Sequence, residues 1–249
     1  MPRTCILSPH PDDAVWSLGG WLAIQAKHSS IVVITVFDGD VPVARYGDLR
    51  VREQRWRSLG TPSLRRTEDD RAMAAIGGRA IGLGFLDGAI REGTGGAFLY
   101  DTLEALFARP PIMETALVEQ VANGFSKHLR PDDVVLAPLA LGDHVDHRIV
   151  REAATQLPRG VSGWYEDFPY VQDLEDADIH KVAREVIGRH ALPILVESDF
   201  DAWIRSALCY RSQVLRLYGS GAAFEERLSA YAWGRGDTPS ARIWWTACS

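Results

Sequence analysis

Few cysteines, no long apolar run and no excess of positive charge narrow this 249-residue sequence before any motif is read. Its three cysteines, Cys5, Cys209 and Cys248, are odd in number and form no C-x-x-C pair, so a disulfide framework is not expected. A reducing, cytoplasmic setting is the simplest reading, with Cys5 packed as a small hydrophobe in the first strand. The N-terminus, MPRTCILSP, lacks the apolar h-region of a signal peptide, and no later stretch reaches the length of a membrane span. A net charge of −6 leaves no basic footprint, which argues against nucleic acid or an anionic membrane as the main partner. No G-x-S-x-G elbow is present, which disfavours a serine hydrolase. Gly82-Leu83-Gly84 is not followed by a helical pattern, so it is no dinucleotide fingerprint.

What is present is an alternation of strand and helix patterns. Apolar runs at 4–7, 31–37, 81–85, 133–137, 161–165 and 242–245 read as strands. The run 31–37 (IVVITVF) is β-branched throughout, as in a strand buried on both faces. Helical spacing predicts helices over 14–27, 64–76, 114–129, 144–157, 174–188 and 200–215, with a further one near 48–59. Gly19 and Gly20 lie inside the first of these, where they permit close backbone packing. Residues 89–97 contain three glycines and read as a surface loop, and Pro110-Pro111 marks a break. The order implies a three-layer α/β sandwich with a mostly parallel sheet. No repeat, low-complexity segment or linker interrupts it, so residues 1–249 read as a single domain.

Two clusters carry chemistry. The first, SPHPDDA (8–14), packs His10, Asp12 and Asp13 into a strand-to-helix turn. Open α/β sheets place ligands at such turns, and these side chains suit a borderline cation such as zinc. The competing reading is that Asp12 or Asp13 merely caps the helix. The second cluster, Asp143-His144-Val145-Asp146-His147, also follows a strand. His144 and His147 are three apart and share a helix face, and Asp146 is close enough to orient an imidazole. Here the competing reading is a capped helix start with solvated histidines. Parallel strands, however, would bring both clusters to one sheet edge, and the chain has only seven histidines to spread among such positions.

HPDD near the N-terminus with HVDH in mid-chain resembles the PIG-L/LmbE family of zinc-dependent amide hydrolases, best known as N-acetylglucosamine de-N-acetylases. RRTED at 65–69, AMAAIG at 72–77, LGFLDG at 83–88, YEDFPY at 165–170 and YRSQ at 210–213 resemble further family stretches in the same order. The resemblance implies a Rossmann-like fold. It implies His10, Asp13 and His147 as ligands of Zn2+, with Fe2+ as the alternative metal. It further implies Asp12 as general base, and His144, tuned by Asp146, facing the oxyanion. Arg65, with Glu68 holding it, and Asp87 correspond to positions that face a sugar or another polar acceptor. Asp38 and Asp40 sit on the loop after the second strand, near the same edge. One departure is that the family's usual glutamate after the second aspartate is Ala14 here.

These residues imply removal of an N-acyl group, acetyl in the first instance, from an amino sugar or related small molecule. Two alternatives remain at this level. One is a metal-dependent nucleotide-sugar transferase, suggested by Asp38-Gly39-Asp40, which reads equally well as a plain turn. The other is a non-catalytic sugar-binding relative. Tyr165, Glu166 and Asp167 either line the pocket or end a strand packed on Pro169. A homo-oligomer is compatible with the sequence, and the tryptophans receive no ligand role.

Overall fold

The computed structural model describes residues 3–40, 60–93, 95–108, 114–188 and 191–246. The helix expected near 48–59, the Pro110-Pro111 break and Cys248 lie outside the described residues. Seven strands form one sheet: β1 (Arg3–Ser8), β2 (Ser30–Thr35), β3 (Arg79–Gly82), β4 (Val134–Pro138), β5 (Gly163–Tyr165), β6 (Pro193–Glu197) and β7 (Ser240–Trp245). Their order is β3-β2-β1-β4-β5-β7-β6. β1 pairs in parallel with both β2 and β4, β2 with β3, and β4 with β5; β7 runs antiparallel to both β5 and β6. The sheet is therefore mostly parallel with an antiparallel margin.

β1 is wholly buried, and β2 is buried beyond its first residue, as their apolar and β-branched composition requires. The chain builds outward from β1 through β2 to β3, then crosses back to lay β4 on the other side of β1. That reversal is a topological switch point, where the strand ends leave a crevice open for ligands. Helices cover both faces. α1 (Asp13–Gln25), α2 (Pro62–Ile76) and a later helix, Phe200–Ala207, pack on one another, while α3 (Thr115–His128) and α4 (Val145–Thr155) pack together and α4 lies against β4 and β1.

The helix starts follow local chemistry. Thr61 caps α2 by accepting the Leu64 N–H at 3.3 Å, Pro62 opens its first turn, and Gly77 ends it at φ 87°. The stretch expected as one helix over 200–215 is two, Phe200–Ala207 and Arg211–Tyr218, separated at Leu208–Tyr210. Helix Gly221–Trp233 and edge strand β6 carried no signal strong enough to read. β6 begins with proline and leaves Ile194 and Leu195 exposed, so it lacks the alternation of a half-buried strand.

Gly20 shows why α1 can carry a glycine pair. A Cβ there would come within 2.8 Å of Ser198 Cβ and 2.9 Å of both Asp199 O and Trp203 Cε3. The Asp199 N–H bonds Gly20 O at 3.1 Å, and Trp203 donates its indole N–H to Val15 O at 2.9 Å. Alanine is the better helix former by about 1 kcal/mol. Overpacking costs about 1–3 kcal/mol, and here the obstacles include backbone. Gly20→Ala is therefore expected to lower the urea midpoint; a raised midpoint would show that this contact yields.

Candidate metal centre

The site lies where β1 and β4 end. Past β1 the chain turns through His10 and Pro11 into Asp12, which sits at φ 125° and ψ −45° before α1 begins. An L-residue rarely adopts that backbone, and such strain persists where the surroundings impose it, often at a reacting centre. Its effect is to turn two neighbouring carboxylates apart. Asp12 makes no side-chain cap bond, so the capping alternative does not hold for it. Its Oδ2 instead lies 3.4 Å from Arg65 Nη2, which also donates to Pro11 O at 3.2 Å. Asp13 turns the other way. Its Oδ2 accepts the His10 backbone N–H at 2.8 Å and lies 3.2 Å from both His10 Nδ1 and His147 Nε2.

Past β4, Ala140, Gly142 and Asp143 take positive φ and deliver the chain into α4. The cap of α4 is the ring of His144, whose Nδ1 accepts the Asp146 N–H at 3.2 Å. Both histidines of this cluster are buried rather than solvated. Among the described residues, two groups of potential ligand atoms lie within 4.8 Å of one another: His10, Asp13 and His147, and His10, His144 and Asp146. The first is the better cation site. His147 Nε2 is buried and makes no hydrogen bond of acceptable geometry, despite its 3.2 Å approach to Asp13. Its other nitrogen, Nδ1, is bonded to Asp167 Oδ1 at 2.7 Å. His10 repeats the pattern, with Nε2 on Asp146 Oδ2 at 2.9 Å and Nδ1 toward Asp13. Each imidazole thus has one nitrogen held by a carboxylate and the other turned inward, the usual outer support of a histidine-ligated metal. Asp146 is already engaged, by His10, by the Gly88 N–H at 2.9 Å and by Arg91. Two nitrogens and a carboxylate oxygen suit zinc or ferrous iron.

The structure brings His10, Asp12, Asp13, His144, Asp146 and His147 together, with Arg65 and Asp87 alongside. Asp87 Oδ2 lies 3.5 Å from His10 Nε2 and 3.8 Å from Arg65 Nη1. Asp38 and Asp40 are otherwise occupied: Asp38 accepts the Gly84 N–H at 2.8 Å, and Asp40 pairs with Arg66. Glu68 does not hold Arg65; it accepts from the Ser212 N–H and hydroxyl at 2.8 and 2.6 Å. Asp69 next to it takes the Tyr210 hydroxyl at 2.6 Å, so RRTED and YRSQ are two halves of one contact. The carboxylate of Asp146 stays close enough to His144 to act on its charge, as expected, and also hydrogen-bonds His10 of the other cluster. In YEDFPY, Glu166 pairs with Arg242 and Trp244, whereas Asp167 turns to the site and Tyr170 packs edge-on against His147, ring centres 5.2 Å apart. The stretch 89–97, expected as a surface loop, is entered by a short 3-10 turn, Gly88–Ile90, and buries Ala89 and Arg91.

Burial and charge divide the roles. Burial pushes Asp12 up to about 7 against the opposing charge of Arg65, with Asp13 adding to the rise. Burial opposes the ionised form of Asp13 too, yet His147 and His10 hold it well below the carboxylate range. Burial drives His144 down to about 3, so its ring is neutral. Because Nδ1 accepts from the backbone, the neutral ring carries its proton on Nε2.

The sequence profile of the PIG-L family, described as GlcNAc-PI de-N-acetylase, matches residues 5–157, which include both clusters. The chain belongs to the PIG-L family. It is 32% identical over 195 residues to 2'-N-acetylparomamine deacetylase of Streptomyces fradiae, a match covering 75% of this chain and 64% of that protein. The chain thus spans less than two thirds of that relative's length. Solved structures of similar fold include the zinc-inhibited form of teicoplanin deacetylase Orf2, at TM-score 0.76 and 24% identity over 97% of both chains. Another is A40926 pseudoaglycone deacetylase Dbv21, at TM-score 0.70 and 23% identity, covering 98% of this chain and 96% of that one. At these identities the likeness is one of fold. No helix among the described residues of this PIG-L chain is long and apolar enough to cross a membrane.

In the metal-free protein, burial opposes the charged form of His147, but Asp13 and Asp167 outweigh it and lift the ring from 6.5 to about 9. A raised histidine pKa stabilises the fold fully below the unfolded value, near 6.5, and that gain is lost as pH rises through about 9. Chelator-treated wild type should therefore lose its Tm advantage over His147→Gln between pH 6.5 and 9. A pH-independent gap between the two melting curves would contradict this.

Proposed function

We propose that this PIG-L chain is a zinc-dependent hydrolase that removes an N-acyl group, in the first instance acetyl, from an amino sugar. The observation that carries the reading is the convergence of His10 Nδ1, Asp13 Oδ2 and His147 Nε2, each imidazole held from behind by a carboxylate, beside the unligated Asp12. Bound zinc polarises an amide carbonyl and brings the pKa of water to about 7. Asp12, raised toward neutrality, takes a proton from the attacking water and returns it to the departing amine. His144 donates its Nε2–H to the oxygen on which charge develops. Arg65 holds Asp12 in place and, with Asp87, presents charge and hydrogen-bonding capacity to a polar acceptor.

The family's description as a GlcNAc-PI de-N-acetylase and the 2'-N-acetylparomamine deacetylase relative support the acyl and amino-sugar assignment. The transferase alternative loses its motif, since Asp38 and Asp40 are taken up by Gly84 and Arg66. Residues 1–249 are read as one domain whose substrate is a small N-acylated molecule. The free thiols of Cys5 and Cys209 suit a reducing compartment such as the cytoplasm. The test is a panel of N-acetylglucosamine, N-acetylated aminoglycosides and N-acetylated glycopeptides. Protein reconstituted with zinc or with ferrous iron is assayed for release of primary amine. Amine release from an amino sugar is expected. Tight sugar binding with no amine under either metal would instead identify a non-catalytic relative.

A further inference from the structure

Arg91 lies outside every motif that pointed to the site, yet it is buried against it. Its Nη1 donates to Asp146 Oδ1 and, at 3.0 Å, to Leu86 O. Its Nε and Nη2 form a two-bond fork on Glu114 at 2.7 and 3.0 Å, and Tyr100 donates its hydroxyl to the same Glu114 at 2.6 Å. The guanidinium is also sandwiched, 5.0 Å from the ring centre of Phe37 and 5.5 Å from that of Tyr100. Its hydrogen bond toward the site goes to Asp146, which is fully buried and whose other oxygen holds His10 Nε2.

We propose that Arg91, clamped by Glu114 and Tyr100, is a positioning residue that aims Asp146 at His10 and thereby sets the ring orientation that His10 offers to the metal. The inference rests on the metal reading of His10, Asp13 and His147 given above. Asp146 is a two-oxygen part: Oδ2 takes the His10 ring and the Gly88 N–H, and Oδ1 takes Arg91. Without the guanidinium, a buried carboxylate keeps its backbone bond but loses the partner that fixes its rotation. The fork matters because a planar guanidinium holds one carboxylate bidentately while a further N–H reaches a second, a fixed geometry that an ammonium does not supply. Glu114, at the cap position of α3, makes no cap bond and spends its carboxylate on Arg91 instead. The segment that follows β3 and the start of α3 are thus tied to the metal centre through one side chain.

The experiment measures the zinc dissociation constant of metal-stripped wild type, Arg91→Lys and Arg91→Met by competition with a chromophoric chelator. Thermal melting of the metal-free proteins checks folding. Loss of support behind a ligand weakens metal binding by about 10- to 100-fold, and Arg91→Met should fall in that range. Arg91→Lys, which keeps a donor for Asp146, should recover part of the loss. In the zinc-saturated enzyme kcat should fall while KM changes little. Folded Arg91→Met with wild-type zinc affinity overturns the proposal, as does Arg91→Lys no better than Arg91→Met. If Arg91→Met does not fold, Glu114→Gln decides: a several-fold weaker zinc affinity supports the clamp, and an unchanged one overturns it. Should wild type bind zinc yet hydrolyse no amide, the proposed activity fails while the zinc measurements still decide the role of Arg91.

Discussion

Asp12→Asn is expected to keep its zinc and lose nearly all turnover, with kcat lower by about 10²- to 10⁴-fold, the range for a positioned general base. The argument is geometric before it is electrostatic. Asp12 and Asp13 are adjacent, and the backbone turn at φ 125° directs one to the ligand set and the other to Arg65. Asparagine keeps the shape and an acceptor for Arg65 but cannot take up a proton at neutral pH. Metal analysis and kcat on one preparation check both halves; an active variant, or one that loses its zinc, contradicts the assignment. The same strain makes a second statement about stability. An unfavourable φ,ψ pair costs about 1–3 kcal/mol, whereas glycine adopts it freely. Asp12→Gly should therefore be as inactive as Asp12→Asn and melt above it, trading function for fold.

The parts of the fold legible in the sequence were those whose burial is uniform. β1, β2 and β4 are short apolar runs because each is covered on both faces; α2 was legible from 64, but its actual start at Pro62, capped by Thr61, lay outside the apolar spacing. β6 escaped because an edge strand with exposed Ile194 and Leu195 has neither a continuous core face nor alternation. The two helices on either side of Leu208–Tyr210 read as one because apolar spacing continues through the break, while Tyr210 leaves the helix path to reach Asp69.

At the site, both clusters were legible because their residue types are rare together and follow strands. Their wiring was not. Sequence proximity placed Asp146 beside His144, where it does lie, but did not reveal its hydrogen bond to His10 of the other cluster, 136 residues away. Asp167 reads from the sequence as either lining the pocket or ending a strand; it follows β5 at the same sheet edge as the two histidine turns and bonds His147. Arg91 was not legible. A glycine-rich stretch hides its one buried cation, and only the contacts with Asp146 and Glu114 reveal it.

His147 separates ligation from support, and its variants should differ accordingly. His147→Ala removes an inward nitrogen and should leave no zinc after dialysis, with amide hydrolysis lost in parallel. It also strands Asp167, a fully buried carboxylate, and breaking such a pair costs about 3–5 kcal/mol, so this variant should melt early. His147→Gln distinguishes the two effects. Its amide can still donate to Asp167, so the fold should survive, but it cannot replace the imidazole toward the metal. Asp167→Asn tests the outer bond: Nε2 stays in place, and the ring loses only the charge that fixes its proton on Nδ1. Zinc affinity should then fall by about 10- to 100-fold rather than vanish. The ordering expected from chelator competition is wild type, then Asp167→Asn, then His147→Gln and His147→Ala together without zinc. If His147→Gln bound zinc as tightly as wild type, the inward nitrogen would be no ligand, and the metal centre would have to be sought elsewhere.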